Sequence, residues 1–158
     1  MDLLPLFQWC EESGLGRTVR ESVWAFAVIE SVHLLALATM GGAVLLVDMR
    51  MLNLGMRQRP VAELAAEAQP FQNAALIVLI LSGIGLFASE AVKCYYSVPF
   101  WIKMASLLLA LVFTFTVRWR VAGAQHTTGA WQRVLAGIVS MIFWAGVAWG
   151  GRWIGFSG

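Results

Sequence analysis

The chain is short of charge. Only 13% of its 158 residues are Asp, Glu, Lys or Arg, about half the share usual in a soluble domain. Histidine occurs twice and cysteine twice. The cysteines, Cys10 and Cys94, form neither CxxC nor CxxCH, so a dithiol redox motif and covalent c-type haem attachment have no support. Walker A, dinucleotide-binding, HExxH, GxSxG and EF-hand patterns do not occur. No standard soluble active site is expected, and the reading leans away from an enzyme. The 11 basic residues are scattered in ones and twos, which leaves no footprint for nucleic acid. Met1 to Ser22 lacks a basic start, and Glu11, Glu12 and Arg17 interrupt any apolar core, so a cleaved signal peptide is not expected there.

What the chain has is long apolar runs. Hydrophobic residues make up 59% of it, with eight tryptophans and 15 glycines, a mixture suited to lipid interfaces and close helix packing. Four runs are predicted to span a membrane, at about residues 23–47, 71–89, 99–117 and 134–154. Each approaches the ~20 residues needed to cross the hydrocarbon. Pro99 suits the first turn of the third. The expectation is one domain over residues 1–158, an all-α, four-helix transmembrane bundle with antiparallel neighbours.

Arg50, Arg57, Arg59, Arg118, Arg120 and Arg133 fall in the two loops that four spans put on one side. The excess of basic residues places that side in the cytoplasm and both termini outside. Multi-pass insertion in a bacterial cytoplasmic (inner) membrane is the expected localisation. The stretch RPVAELAAEAQP, between Pro60 and Pro70, reads as a short helix lying on the inner surface. LLPLFQW near the N-terminus is a second surface candidate, outside.

Ionisable groups within such runs are costly and mark candidate sites. Glu30 and His33 lie three residues apart in the first run and share a helical face. Lys103, near the outer end of the third run, falls at a similar height. Glu30, His33 and Lys103 are therefore the expected intramembrane polar cluster, with a Glu30–Lys103 ion pair weighed against independent snorkelling to headgroups. His33 has three readings: a helix-packing imidazole, a proton or small-molecule site with Glu30, or a haem b ligand. The haem reading needs a second ligand, such as Met104 or the His33 of a second copy, because His126 falls at the wrong depth.

Around the outer loop, Glu90 can pair with Lys93, while Tyr95 and Tyr96 suit an interface; together with Glu30 and Lys103 they could line an outward pocket. Ordinary loop capping is the plainer reading. Both cysteines fall outside, where a bridge could form, although two unpaired thiols are preferred. At the inner ends, Asp48 can pair with Arg118, and Arg50, Arg57 and Arg59 can meet anionic headgroups. Gly146 and Gly150 read as a helix-packing pair.

The runs ESVHLLALATMGGAVLLVDMRMLNLGMR, RPVAELA, SEAVKCYYSVPFWIKM and AGVAWGGRWIGF together resemble a bacterial family of four-helix integral membrane proteins of unknown function. The resemblance covers almost the whole chain and rests on Glu30, Ser31, His33, Gly41, Asp48, Arg50, Glu90, Lys93, Lys103, Gly151, Arg152 and Trp153. Members of that family often carry a further histidine near the end of the third span, where this chain reads TFTVRWR. The resemblance implies architecture and candidate positions, and no activity. The leading function is a non-enzymatic membrane component acting through a polar core or through partners, either lipids, its own copies or another membrane protein. The alternatives are a haem-b electron-transfer subunit and a small oligomeric proton or solute transporter.

Overall fold

Serine and proline set the helix starts. In the computed structural model, which describes residues 3–124 and 128–154, Pro5 lies in the first turn of α1 (Leu4–Glu12). The Ser13 hydroxyl caps α2 (Gly14–Glu21) by accepting from Gly16 N at 3.2 Å. Ser22 does the same for α3 (Val23–Met51), accepting from Ala25 N at 3.2 Å. Each cap satisfies an amide that the first helical turn leaves without a partner. Then follow α4 (Val61–Ser89), α5 (Ala91–Tyr96), α6 (Val98–Phe113), a π-turn (Thr114–Arg118), α7 (Trp119–Gly123) and α8 (Ala130–Ile154). Pro99 does sit in the first turn of α6.

The described structure is all-α. Four of its helical stretches are long and apolar enough to cross a membrane: α3, α4, the continuous 98–123 run and α8. Most of their surface is apolar and turned outward, as at Trp24, Leu35, Leu81 and Ile142. This supports a multi-pass membrane protein, since water would be a poor solvent for such a perimeter.

The spans are longer than the apolar runs suggested. α4 begins at Val61, so RPVAELAAEAQP is not a separate surface helix; it is the first part of a 29-residue helix that continues through Pro70. The apolar strip read from that segment decides this. Val61, Leu64, Ala65 and Ala68 are buried against Val47, Met51, Ala122 and Ala136, so the strip fills the bundle end instead of lying on lipid. Pro70 removes one helical amide donor, a loss that a packed membrane helix can absorb.

α3 packs along α4, α6 packs along α8, and the two pairs meet through α3 and α8. Register is visible in individual contacts. His33 lies over Gly83 and Ile29 over Gly85. On the other pair, a Cβ added at Gly150 would come within 2.9 Å of the Lys103 Cβ, and one at Gly146 within 2.8 Å of the Ser106 Oγ. The small-residue pair of α8 therefore does pack a helix. Midway, Met40 is fully buried with Val44 and Ala75, and Leu76, Leu79 and Trp144 close around them.

The π-turn fixes which side of the third span faces inward. Ala110, Thr114, Arg118 and Ala122 are all buried. At ~100° per residue, a strict spacing of four would drift by about 120° over that distance in an unbroken α-helix. The wider turn at Thr114–Arg118 offsets the drift, leaving Phe115 and Val117 outside.

Candidate functional site

Two polar groupings inside the bundle include residues expected from the sequence, one around His33 and one around Asp48; Gln72 and Ser89 are buried as well. Met40 and its apolar neighbours separate these two levels along α3.

At the first level the α4-facing seam of α3 runs through Ile29 and His33. The His33 ring packs on Gly83, whose missing side chain leaves room for it: an added Cβ would lie 3.4 Å from Cε1. His33 Nδ1 is 2.8 Å from Ser82 Oγ. The Ser82 hydroxyl donates its single proton to the Val78 carbonyl at 2.5 Å. With that proton on Val78, the Ser82 oxygen accepts from His33, an arrangement that goes with the tautomer protonated at Nδ1. In the neutral ring that arrangement leaves Nε2 with a lone pair, able to take a proton or ligate a metal.

Lys103 on α6 lies within electrostatic reach of His33. Its stem runs over Gly150, and its ammonium lies near Gly151. Glu30 departs from the expected cluster. It is exposed and has no ion pair with Lys103; the described salt bridges lie elsewhere. One residue beyond Ile29 means ~100° of rotation, which carries Glu30 out of the seam. Three-residue spacing put Glu30 and His33 on a broad common face, but only His33 lies in the contact line. Met104 is likewise exposed, one position round α6 from Lys103. His126 lies outside the described residues.

At the second level the Arg118 Nε donates to Asp48 Oδ1 at 2.7 Å, and its Nη2 donates to the Val44 carbonyl at 3.2 Å. Asp48 is 0% exposed and Arg118 2%. The pair expected from the sequence is thus present and fully enclosed. Ser140 of α8 stands beside the carboxylate, yet its Oγ and Asp48 Oδ2 are buried without a well-formed hydrogen bond. Gly137 lets α8 approach: an added Cβ would lie 3.3 Å from the Asp48 carbonyl oxygen. On the other side of the π-turn, Trp144 Nε1 donates to Thr114 Oγ1 at 3.3 Å.

Arg50 does not face outward as a free headgroup ligand. Its guanidinium donates to the Arg59 carbonyl at 2.7 Å and to Asn53 Oδ1 at 3.0 Å, tying down the α3–α4 loop. Arg59 bridges Glu63 at 2.7 Å and Glu67 at 2.6 Å, and these carboxylates push its guanidinium pKa upward. Arg57 donates to the Asn53 carbonyl at 3.1 Å. The loop turns at Gly55, where φ is +134°, a conformation that favours glycine.

The connection between α4 and α6 forms α5 instead of an open rim. Glu90 and Lys93 approach to 4.0 Å, both well exposed. The Tyr95 ring is covered by Phe7 of α1 at a centroid distance of 5.3 Å, whereas Tyr96 is exposed. α1 therefore covers Tyr95, one of the residues of the expected outward pocket. An open cleft of about 320 Å³ lies instead along α1, α2 and α5, lined by Gln8, Glu11, Glu12, Arg20 and Val92. Glu11 organises it, accepting from Val92 N at 2.6 Å and from Arg20 at 3.0 Å.

Ser82, Ser140, Thr114 and Glu11 were not singled out by sequence. Ser82 had a faint signal, as the serine of a Ser–Gly pair inside the apolar run LILSGIG. Among the described residues no group of three His, Cys, Asp or Glu is placed to hold a metal ion.

A model for a family of unknown function, DUF6644, matches residues 6–157. The chain belongs to that family. Its DUF6644 membership thus covers both polar levels and the α1–α5 cap, and attaches no activity to them. No curated protein and no solved structure matches the chain.

Proposed function

We propose that the protein is a non-enzymatic component of a bacterial cytoplasmic membrane whose working feature is the polar site centred on His33. Its four spans run antiparallel, with both termini outside. Opposed register on both helix pairs supports the alternation: His33 and Ile29 meet Gly83 and Gly85, and Lys103 and Ser106 meet Gly150 and Gly146. The arginines of the α3–α4 and α7–α8 connections support the inward assignment of that end.

One observation carries the functional reading. His33 is held by Ser82 through Nδ1, with the Ser82 proton committed to Val78. The ring is thereby fixed in orientation and offers Nε2 as an acceptor inside an apolar span. A purely space-filling residue there would need no such anchoring, because burying an imidazole is unfavourable beside burying a hydrocarbon. The Lys103 amine lies within electrostatic reach of the same ring. A polar group donated by a neighbouring membrane protein or a second copy would complete the site, while lipid covers the remaining perimeter.

The test is purification from native membranes of the wild-type chain and His33→Ala in mild detergent, with quantified partners and a visible spectrum. The reading predicts a membrane neighbour or second copy retained by the wild type and lost with His33→Ala at unchanged thermal stability. A Soret band that disappears in His33→Ala would replace it with the haem reading. Proton flux in liposomes abolished by the same change would replace it with transport.

A further inference from the structure

We propose that Cys10 and Cys94 form a disulfide that staples α1 to α5 on the outer face of the bundle. This rests on the outward placement of both segments in the reading above. The two are the only cysteines of the chain. They come from distant parts of the sequence, yet both belong to one apolar cluster: Cys94 is buried with Phe7 and Ala91, and Cys10 packs against that group.

The contacts on either side of the cysteines hold the two helices together. Phe7, one turn before Cys10, meets the ring of Tyr95, the residue after Cys94, at 5.3 Å. Glu11, the residue after Cys10, accepts from Val92 N, two residues before Cys94, at 2.6 Å. Contacts at both ends of the short α1–α5 interface thus bracket the thiols. Both cysteines are free in the structure.

Closure requires a disulfide-bearing oxidant, of the protein or small-molecule class found in an oxidising compartment. Cys10 is the half-exposed thiol and Cys94 the buried one. Burial, with Glu90 second, pushes the Cys94 thiol up to about 11, so Cys10 is the first to react. The Cys10 thiolate attacks the oxidant's S–S bond, forming a mixed disulfide and expelling one thiol. Cys94 loses its proton to solvent, attacks the Cys10 sulfur and expels the second thiol. The two cysteines lose two electrons and two protons, and the oxidant becomes two thiols.

The experiment compares the chain in cells with the chain in detergent. Cells are quenched in acid and alkylated with a light maleimide; the protein is then reduced and alkylated with a heavy one. Intact-mass spectrometry is expected to show two heavy labels and no light ones, with a cross-linked peptide joining the two cysteines. In Cys10→Ser, Cys94 is expected to take the light label, a loss of both heavy labels. Separately, the reduced wild-type protein in detergent is exposed to oxidised glutathione. Light labels in cells with bridging by glutathione would overturn the staple by refuting the outward placement. Light labels in cells and no bridging by glutathione would overturn it by refuting the α1–α5 proximity. A disulfide-linked dimer in place of the internal bridge would overturn it as well.

Discussion

Asp48 and Arg118, 70 residues apart in sequence, meet at 2.7 Å where neither reaches the surface. The contact joins α3 to the turn between α6 and α7, and so links the two helix pairs. An enclosed ion pair need not stabilise a bundle more than hydrocarbon of equal volume, because both ions lose their solvation. Loss of one partner is the severe case, since the remaining charge has no replacement. Asp48→Leu or Arg118→Leu alone is expected to cost about 3–5 kcal/mol. A paired Asp48→Leu, Arg118→Met variant should recover much of that loss. Denaturation of the purified protein in mixed micelles measures the cycle; additive losses would mean that the two side chains are independent.

Close helix approach makes a second, contrasting prediction. A Cβ at Gly150 would sit 2.9 Å from the Lys103 Cβ and 3.1 Å from its Cα, whereas one at Gly41 meets nothing within 4 Å. Gly150→Ala should force α6 and α8 apart at a cost of about 1–3 kcal/mol. Gly41→Ala should be neutral or stabilise by roughly 0.5–1 kcal/mol, because alanine loses less backbone entropy in a helix. Melting temperatures of the two variants in one detergent distinguish them directly.

The legible part of this protein was what hydrocarbon forces on a sequence. Four apolar runs, the proline in the first turn of α6 and the Asp48–Arg118 pair could all be read from residue type and spacing. Helix ends were less legible because a span can continue past its most apolar run where further turns pack inside the bundle, as Val61 to Ala68 do on Val47 and Met51. Glu30 misled because three-residue spacing defines a face wider than the helix contact seam. The seam selected Ile29 and His33, a choice made by Gly83 and Gly85 on the opposite helix. Ser82 and Ser140 were hidden for another reason: a serine in an apolar run says nothing of its partner until the helices are packed. The π-turn has no composition signature, yet it turns Arg118 inward.

The cap formed by α1, α2 and α5 should loosen when Glu11 is removed. Its carboxylate satisfies Val92 N at 2.6 Å and bridges Arg20 at 3.0 Å. Both side chains are partly exposed, so the ion pair itself adds little, within about 1 kcal/mol. The backbone contact matters more to local order. Hydrogen exchange of Glu11→Ala should show faster exchange at Val92 and through α1, with α3 and α4 unchanged. Uniform exchange across the cap in both proteins would show that Glu11 does not hold it.

Cys94 gives a pH prediction for the reduced protein. Its thiol is pushed up to about 11, first by burial and then by the Glu90 carboxylate. Raising an acid's pKa lowers its thiolate fraction at any pH below that value. In Cys10→Ser, alkylation at Cys94 should therefore still be accelerating well above the ordinary thiol range of about 8.5. Glu90→Gln should shift that profile toward lower pH. A profile levelling off at the ordinary thiol value would show that the site is open to water.

The protonation of His33 tests the central claim most directly. Nitrogen-15 histidine spectra of a His126→Gln chain in lipid nanodiscs report one imidazole and its tautomer. The account predicts a neutral ring protonated at Nδ1 with a bare Nε2, and loss of that tautomer preference in Ser82→Ala. A ring protonated at Nε2 in the wild type, unchanged by Ser82→Ala, would contradict it.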